Sequence, residues 1–178
     1  MDKIVIKGQR QLSGKVKISG AKNAVLPIMT AALMADGKST IHKVPNLRDT
    51  RTMIQLMEII GAKCSFKNDR LVINASTVNN PEAPYELVKT MRASFYVLGP
   101  LLARFGKVRV SLPGGCAWGP RPVDFHLKAL EKLGAKVTLR KGYILAEANK
   151  LKGANISFEF PSVGATGNIV MAAATADG

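Results

Sequence analysis

Three stretches of the chain are apolar on nearly every side of a helical wheel. They are residues 21–37 (AKNAVLPIMTAALMADG), 91–106 (MRASFYVLGPLLARFG) and 162–178 (SVGATGNIVMAAATADG), and each ends in Gly. Ala31, Ala32 and Ala35-Asp36-Gly37 fall in step with Ala172, Ala173 and Ala176-Asp177-Gly178. Helices this apolar all round are expected to be buried rather than laid on a surface. Pro27 and Pro100 interrupt the first two, which predicts kinks or late starts there. Strand-like runs follow at residues 39–44 and 107–112.

A second pattern is amphipathic and also repeats. Gly61-Ala62-Lys63 recurs 73 residues later as Gly134-Ala135-Lys136, and residues 52–60 match residues 125–133 upstream of it. Downstream, each copy has a short alternating stretch, a turn, and then Leu71-Val72-Ile73 or Ile144-Leu145-Ala146. The prediction is an amphipathic helix stopped by Gly at positive φ, then strand, turn, strand. The whole unit is thus buried helix, strand, amphipathic helix, strand, strand. The fold class is α/β or α+β, with repeated units around central buried helices: repeats 21–90 and 91–161, and a third begun at 162–178. The third unit stops straight after its first helix, so the expectation is the front part of a longer protein.

Composition changes this picture little. The chain has 178 residues, a prior for one domain or two small ones, with 47% hydrophobic and 21% charged residues, which excludes wholesale disorder. No apolar run is long enough to span a membrane, and the first eight residues lack the apolar core of a signal peptide. Two cysteines, Cys64 and Cys116, make no disulfide framework, so the expected compartment is the cytoplasm. Charge is the unusual quantity. Lys and Arg number 26 against 12 Asp and Glu, a net +14 divided evenly between the segments before and after residue 91. Such a field attracts nucleic acid, acidic lipid and phosphorylated metabolites alike.

Candidate chemistry lies at the ends of regular elements. Ser19-Gly20-Ala21-Lys22-Asn23-Ala24 opens the first buried helix, where free backbone N–H groups favour an anion and Lys22 and Asn23 add a charge and an amide. The same residues also fit a plain helix cap with a solvated lysine. Lys89-Thr90-Met91-Arg92-Ala93-Ser94 marks the same point of the second repeat, and Arg92 offers a planar fork to phosphate or carboxylate. By symmetry Lys22 and Arg92 should face one opening; taken singly, Arg92 fits a surface arginine. The loop at residues 112–124 holds three glycines, three prolines, Cys116, Trp118 and Arg121, and is longer than its counterpart Pro45-Asn46-Leu47-Arg48-Asp49. Cys116 beside Arg121 fits a nucleophile or an acid, or an incidental thiol in a flexible loop. Cys64, in an alternating run, reads as structural. His42 and His126 have no partner at metal-ligand spacing, so no zinc site is proposed. There is no P-loop, no GxGxxG and no RNA- or DNA-binding signature.

Taken together, Ser19-Gly20-Ala21-Lys22-Asn23-Ala24, residues 85–94, the loop at 112–124 and Ser162-Val163-Gly164-Ala165-Thr166 resemble the UDP-N-acetylglucosamine 1-carboxyvinyltransferases, enolpyruvyl transferases of peptidoglycan synthesis. The resemblance runs in order along the chain and covers less than half the family's length. It implies an inside-out, barrel-like α/β domain of three repeats, here with the third truncated. Residues 1–20 resemble a segment that joins the family's second domain, and residues 21–178 most of the first catalytic domain. It also implies a cleft between the two domains, no cofactor, and no role for nucleic acid or membrane.

The implied reaction is attack of the sugar 3′-hydroxyl on C2 of phosphoenolpyruvate, protonation at C3, and loss of phosphate. Lys22 and Arg121 would hold phosphoenolpyruvate, with Cys116 as general acid and site of a covalent adduct. Asn23, Arg92, Arg121, Pro122, Val123, Asp124 and Phe125 would contact UDP-N-acetylglucosamine, with Ser162, Val163 and Gly164 beside the uridine. Tyr96 would line the cleft, and Phe160-Pro161 replaces a segment that often carries a basic residue. Because the family's remaining catalytic groups lie in the portion absent here, the chain as given is expected not to turn over without the C-terminal domain. The alternatives are a shikimate-pathway enolpyruvyl transferase, a basic RNA-binding module, and a non-catalytic short form.

Overall fold

The computed structural model describes residues 3–9, 11–113 and 123–178. Up to residue 20 the described chain forms no regular element and is almost wholly exposed. Helix α1 (Lys22–Ala31) then begins, and a 3₁₀ turn (Ala32–Met34) finishes it short of Gly37. It continues through Pro27 for one turn before tightening. Strand β1 (Lys38–Ile41) is shorter than the 39–44 run, because Lys43 adopts φ 56° and breaks the ladder. Pairing resumes beyond that kink, where the Val44 N–H donates to Asp69 O at 2.8 Å. Gly20 is packed on the same kink: a Cβ there would lie 1.7 Å from Lys43 O.

Helix α2 (Arg48–Ile60) buries Met53, Leu56, Met57 and Ile60 on one face and ends at Gly61, φ 106°. Strands β2 (Lys63–Lys67) and β3 (Arg70–Asn74) follow, giving an antiparallel sheet of order β1-β3-β2. A short strand β4 (Glu82–Ala83), which the sequence pattern does not reveal, runs parallel to the next repeat's first strand and stitches the two units together.

The second repeat enters through a short helix α3 (Tyr85–Val88) and a 3₁₀ segment (Arg92–Val97) before α4 (Leu98–Phe105). This is the late start expected of Pro100, whose missing N–H costs least in a helix's first turn. Strand β5 (Lys107–Ser111), helix α5 (Asp124–Lys132), and strands β6 (Lys136–Arg140) and β7 (Tyr143–Glu147) complete a sheet of order β4-β5-β7-β6. The register repeats too: Lys38 and Lys63 flank Asn74, as Lys107 and Lys136 flank Glu147. Helix α6 (Val163–Ala173) opens the third unit.

One continuous apolar core joins both repeats, with Met29, Leu33, Met53, Leu98, Leu101 and Leu130 among its fully buried side chains. The second apolar helix, α4, is buried or half-buried throughout, whereas the first and third are only partly buried. Ile28 on α1 is 51% exposed, and Val163 and Val170 on α6 are 83% and 62% exposed. The described chain supplies two sheets, which cover only part of these helices. No described helix is long and apolar enough to cross a membrane.

Candidate active site

A cavity of about 630 Å³ opens where the N-termini of the buried helices converge. Lys22 is the first residue of α1 and Arg92 the first of the 3₁₀ segment in the second repeat, and both line it. The opposite wall is the start of α6, where Ser162, Val163 and Gly164 line the same space. Asn23, Val123, Asp124, Phe125 and Tyr96 do so as well. The described members of the sequence-derived set are therefore brought together. Cys116, Arg121 and Pro122 lie outside the described residues. The residues bracketing that segment, Pro113 and Val123, both line the cavity.

Local geometry explains these placements. Ser162 caps α6, its Oγ accepting from the Ala165 N–H at 3.3 Å, which leaves the Val163 and Gly164 amides as helix-end donors. Phe125 stacks on Phe158 with centroids 5.4 Å apart and meets Phe160 edge-on at 4.7 Å, forming an aromatic side to the cavity. The Tyr96 hydroxyl reaches toward Val163 O at 3.5 Å; burial raises its pKa, and the Arg92 charge partly opposes this. Tyr96 can pack against α6 because Gly167 has no side chain: a Cβ there would stand 3.0 Å from the ring.

Two titratable cavity residues carry no role in the sequence reading. Asp49, in the first turn of α2, holds Lys22 Nζ at 2.9 Å. An acid in a helix's first turn was the available signal. His126 is 6% exposed, and its pKa is held down to about 4, first by burial and then by Arg92, with Asp124 opposing. In the 73-residue repeat His126 stands where Met53 stands, a core position, and that coincidence was the available signal. Cys64 is half-buried in β2, and burial together with Glu58 pushes its thiol up to about 12, in keeping with a structural role. Among the described residues no group of three His, Cys, Asp or Glu is placed to hold a metal.

The cavity thus presents two cations, the carboxylates of Asp49 and Asp124, helix-end amides and an aromatic face; Arg92 and the amides suit an anionic group and the aromatic face a planar one. Comparison with known proteins agrees with the fold and narrows the family. The EPSP synthase (3-phosphoshikimate 1-carboxyvinyltransferase) family pattern matches residues 6–178. A UDP-N-acetylglucosamine 1-carboxyvinyltransferase from Chlorobaculum parvum is 59% identical over all of this chain and 43% of its own length. One of the same name from Chloroherpeton thalassium is 58% identical, again over the whole chain and 42% of its own length. The chain therefore spans less than half the length of these curated relatives. Among solved structures, the enolpyruvyl transferase NikO from Streptomyces tendae superposes with a TM-score of 0.68 at 25% identity, covering 81% of this chain and 32% of that one. EPSP synthase from Acinetobacter baumannii, at 20% identity, shares the fold with a TM-score of 0.73 over 93% of this chain and 39% of its own. From its repeats, its cavity and these matches, the chain belongs to the EPSP synthase family of enolpyruvyl transferases.

Proposed function

We propose that the full-length protein transfers the enolpyruvyl group from phosphoenolpyruvate to the 3′-hydroxyl of UDP-N-acetylglucosamine, releasing phosphate, in the cytoplasm. The observation that carries this reading is the name shared by relatives that match the chain from end to end at more than half identity. The cavity supports it, since both substrates are anions and the nucleotide sugar brings a planar base.

In this reading the sugar hydroxyl gives up its proton as its oxygen attacks C2 and a proton is added at C3; the tetrahedral adduct then loses a C3 proton as it expels phosphate, which restores the C2–C3 double bond. Lys22 and Arg121 hold phosphoenolpyruvate, fixed cations that stabilise charge developing on its oxygens. Cys116 supplies the proton to C3 and forms a covalent adduct with phosphoenolpyruvate. Asn23, Arg92, Arg121, Pro122, Val123, Asp124 and Phe125 contact the nucleotide sugar. Ser162, Val163 and Gly164 lie beside its uridine end, where helix-end amides suit anionic oxygens. Residues 21–178 form most of one domain of an inside-out barrel, residues 1–20 pack with a second, and the cleft between the two is the working site.

The test is phosphate release by the full-length protein supplied with phosphoenolpyruvate and UDP-N-acetylglucosamine. Turnover with the nucleotide sugar, and none with shikimate 3-phosphate in its place, supports this assignment. The opposite pattern would replace it with the shikimate-pathway reaction.

A further inference from the structure

His126 has no part in the roles set out above, yet its surroundings determine where its proton sits. Asn168, fully buried on α6, spans a gap in the second repeat's buried helix. Its Oδ1 accepts from the Gly99 N–H at 2.6 Å, and its Nδ2 donates to Phe95 O at 3.0 Å. These are the two backbone groups that an uninterrupted α-helix would pair with each other. One is donor-only and the other acceptor-only, so the amide of Asn168 has a single possible orientation. The same Nδ2 lies 3.1 Å from His126 Nδ1, and its second hydrogen points at that ring nitrogen. Nδ1 must then carry a lone pair, which puts the proton of the neutral ring on Nε2.

Nε2 faces the first turn of α6. A Cβ on Gly164 would stand 3.5 Å from it, and no described residue accepts its hydrogen. The Ala165 and Thr166 amides there are taken by Ser162, whereas those of Val163 and Gly164 have no described acceptor. Phe95 packs edge-on against the imidazole at 4.9 Å and holds the ring plane. A nine-tenths buried ring thus places an N–H without a described acceptor beside the first turn of α6, where the Val163 and Gly164 amides also have none, and an acceptor oxygen seated there would serve these donors.

We propose that His126 is a ligand-contacting residue, donating from Nε2 to an acceptor oxygen of the ligand seated at the first turn of α6, and that Asn168 is the positioning residue that fixes this donor. The inference rests on the reading of this cavity as a nucleotide-sugar site. Arg92 and Asp124 are the charged groups that act on the ring, and neither gives Nδ1 a hydrogen-bond acceptor.

Nitrogen-15 NMR of histidine-labelled full-length protein tests this directly, with the His126 signals assigned by their loss in His126→Gln. The expected spectrum near neutral pH is the Nε2–H tautomer. Addition of UDP-N-acetylglucosamine should shift the Nε2 signal and slow exchange of its hydrogen. Gln can place an amide N–H where Nε2 stood, whereas the shorter Asn reaches only the Nδ1 position. His126→Gln should therefore bind UDP-N-acetylglucosamine within about threefold of the parent, and His126→Asn about tenfold more weakly, the scale of one hydrogen bond. An Nδ1–H tautomer overturns the inference, and so does calorimetric binding of the nucleotide sugar that leaves His126 Nε2 unmoved. In the second case the nucleotide-sugar reading survives. Absence of any binding to the parent protein removes that reading as well.

Discussion

Lys22 Nζ lies 2.9 Å from Asp49 Oδ2, tying the first residue of α1 to the first turn of α2 at the cavity wall. The two side chains are 47% and 34% exposed, so water screens the pair and it contributes at most about 1 kcal/mol. Asp49→Asn is accordingly expected to lower the urea unfolding free energy by less than about 1 kcal/mol. Lys22→Ala should be equally mild for stability, yet raise KM for phosphoenolpyruvate about tenfold or more, the scale of a lost charged hydrogen bond. An unchanged KM would remove Lys22 from the phosphoenolpyruvate site.

Acid should destabilise the protein partly through His126. Burial and Arg92 hold its pKa at about 4 in the folded state, against 6.5 for an ordinary histidine. The unfolded chain takes up this proton first as pH falls. Stabilisation is therefore complete above pH 6.5, is lost on the way down to about pH 4, and levels off below. The loss is on the order of 3 kcal/mol. Denaturant melts of parent and His126→Gln across this window should show a shallower pH dependence in the variant. Parallel curves would assign the effect to other groups.

Gly99 is required for a close approach. A Cβ there would lie 2.2 Å from Asn168 O and 2.5 Å from its Oδ1, so α4 and α6 could not keep their spacing. Gly99→Ala should cost about 3 kcal/mol and disturb the Asn168 bridge. Gly134→Ala has open space around it and meets only the strain of φ +89°, so about 1 kcal/mol is expected. Thermal melts of the two variants would rank them, and a reversed order would contradict the packing argument.

Cys116→Ser in the full-length protein should abolish the mass gain expected from a covalent phosphoenolpyruvate adduct. The motivation is a single thiol in a Gly- and Pro-rich segment whose flanking residues, Pro113 and Val123, line the cavity. Intact-mass spectrometry after incubation with phosphoenolpyruvate reads the result directly. A Ser variant that still gains the mass would place the nucleophile elsewhere.

Much of the cavity lining was legible because the repeat is legible. Lys22 and Arg92 occupy equivalent helix starts, and equivalent starts in a repeated fold converge. Asp49 and His126 were not legible in the same way, since each acts through a partner on another element. An acid in a first turn normally serves its own helix dipole, and a histidine at a core position normally serves packing; only the neighbouring helix shows otherwise. The break in β1 at Lys43 was hidden for a related reason: its strand pattern is sound, and the contact with Gly20 that accompanies the kink comes from a segment before α1.

The sequence by itself determined the repeated unit, the helix stops at Gly61 and Gly106, the alternating strands and the candidate cations, because these follow from local periodicity and backbone freedom. The tertiary structure alone decided that Asn168 would bridge Phe95 and Gly99 and orient His126. Those bonds join residues 42 to 73 positions apart in the chain. Their geometry depends on how closely α4, α5 and α6 pack, a distance set by the glycines and side-chain volumes between them rather than by any pattern within one helix.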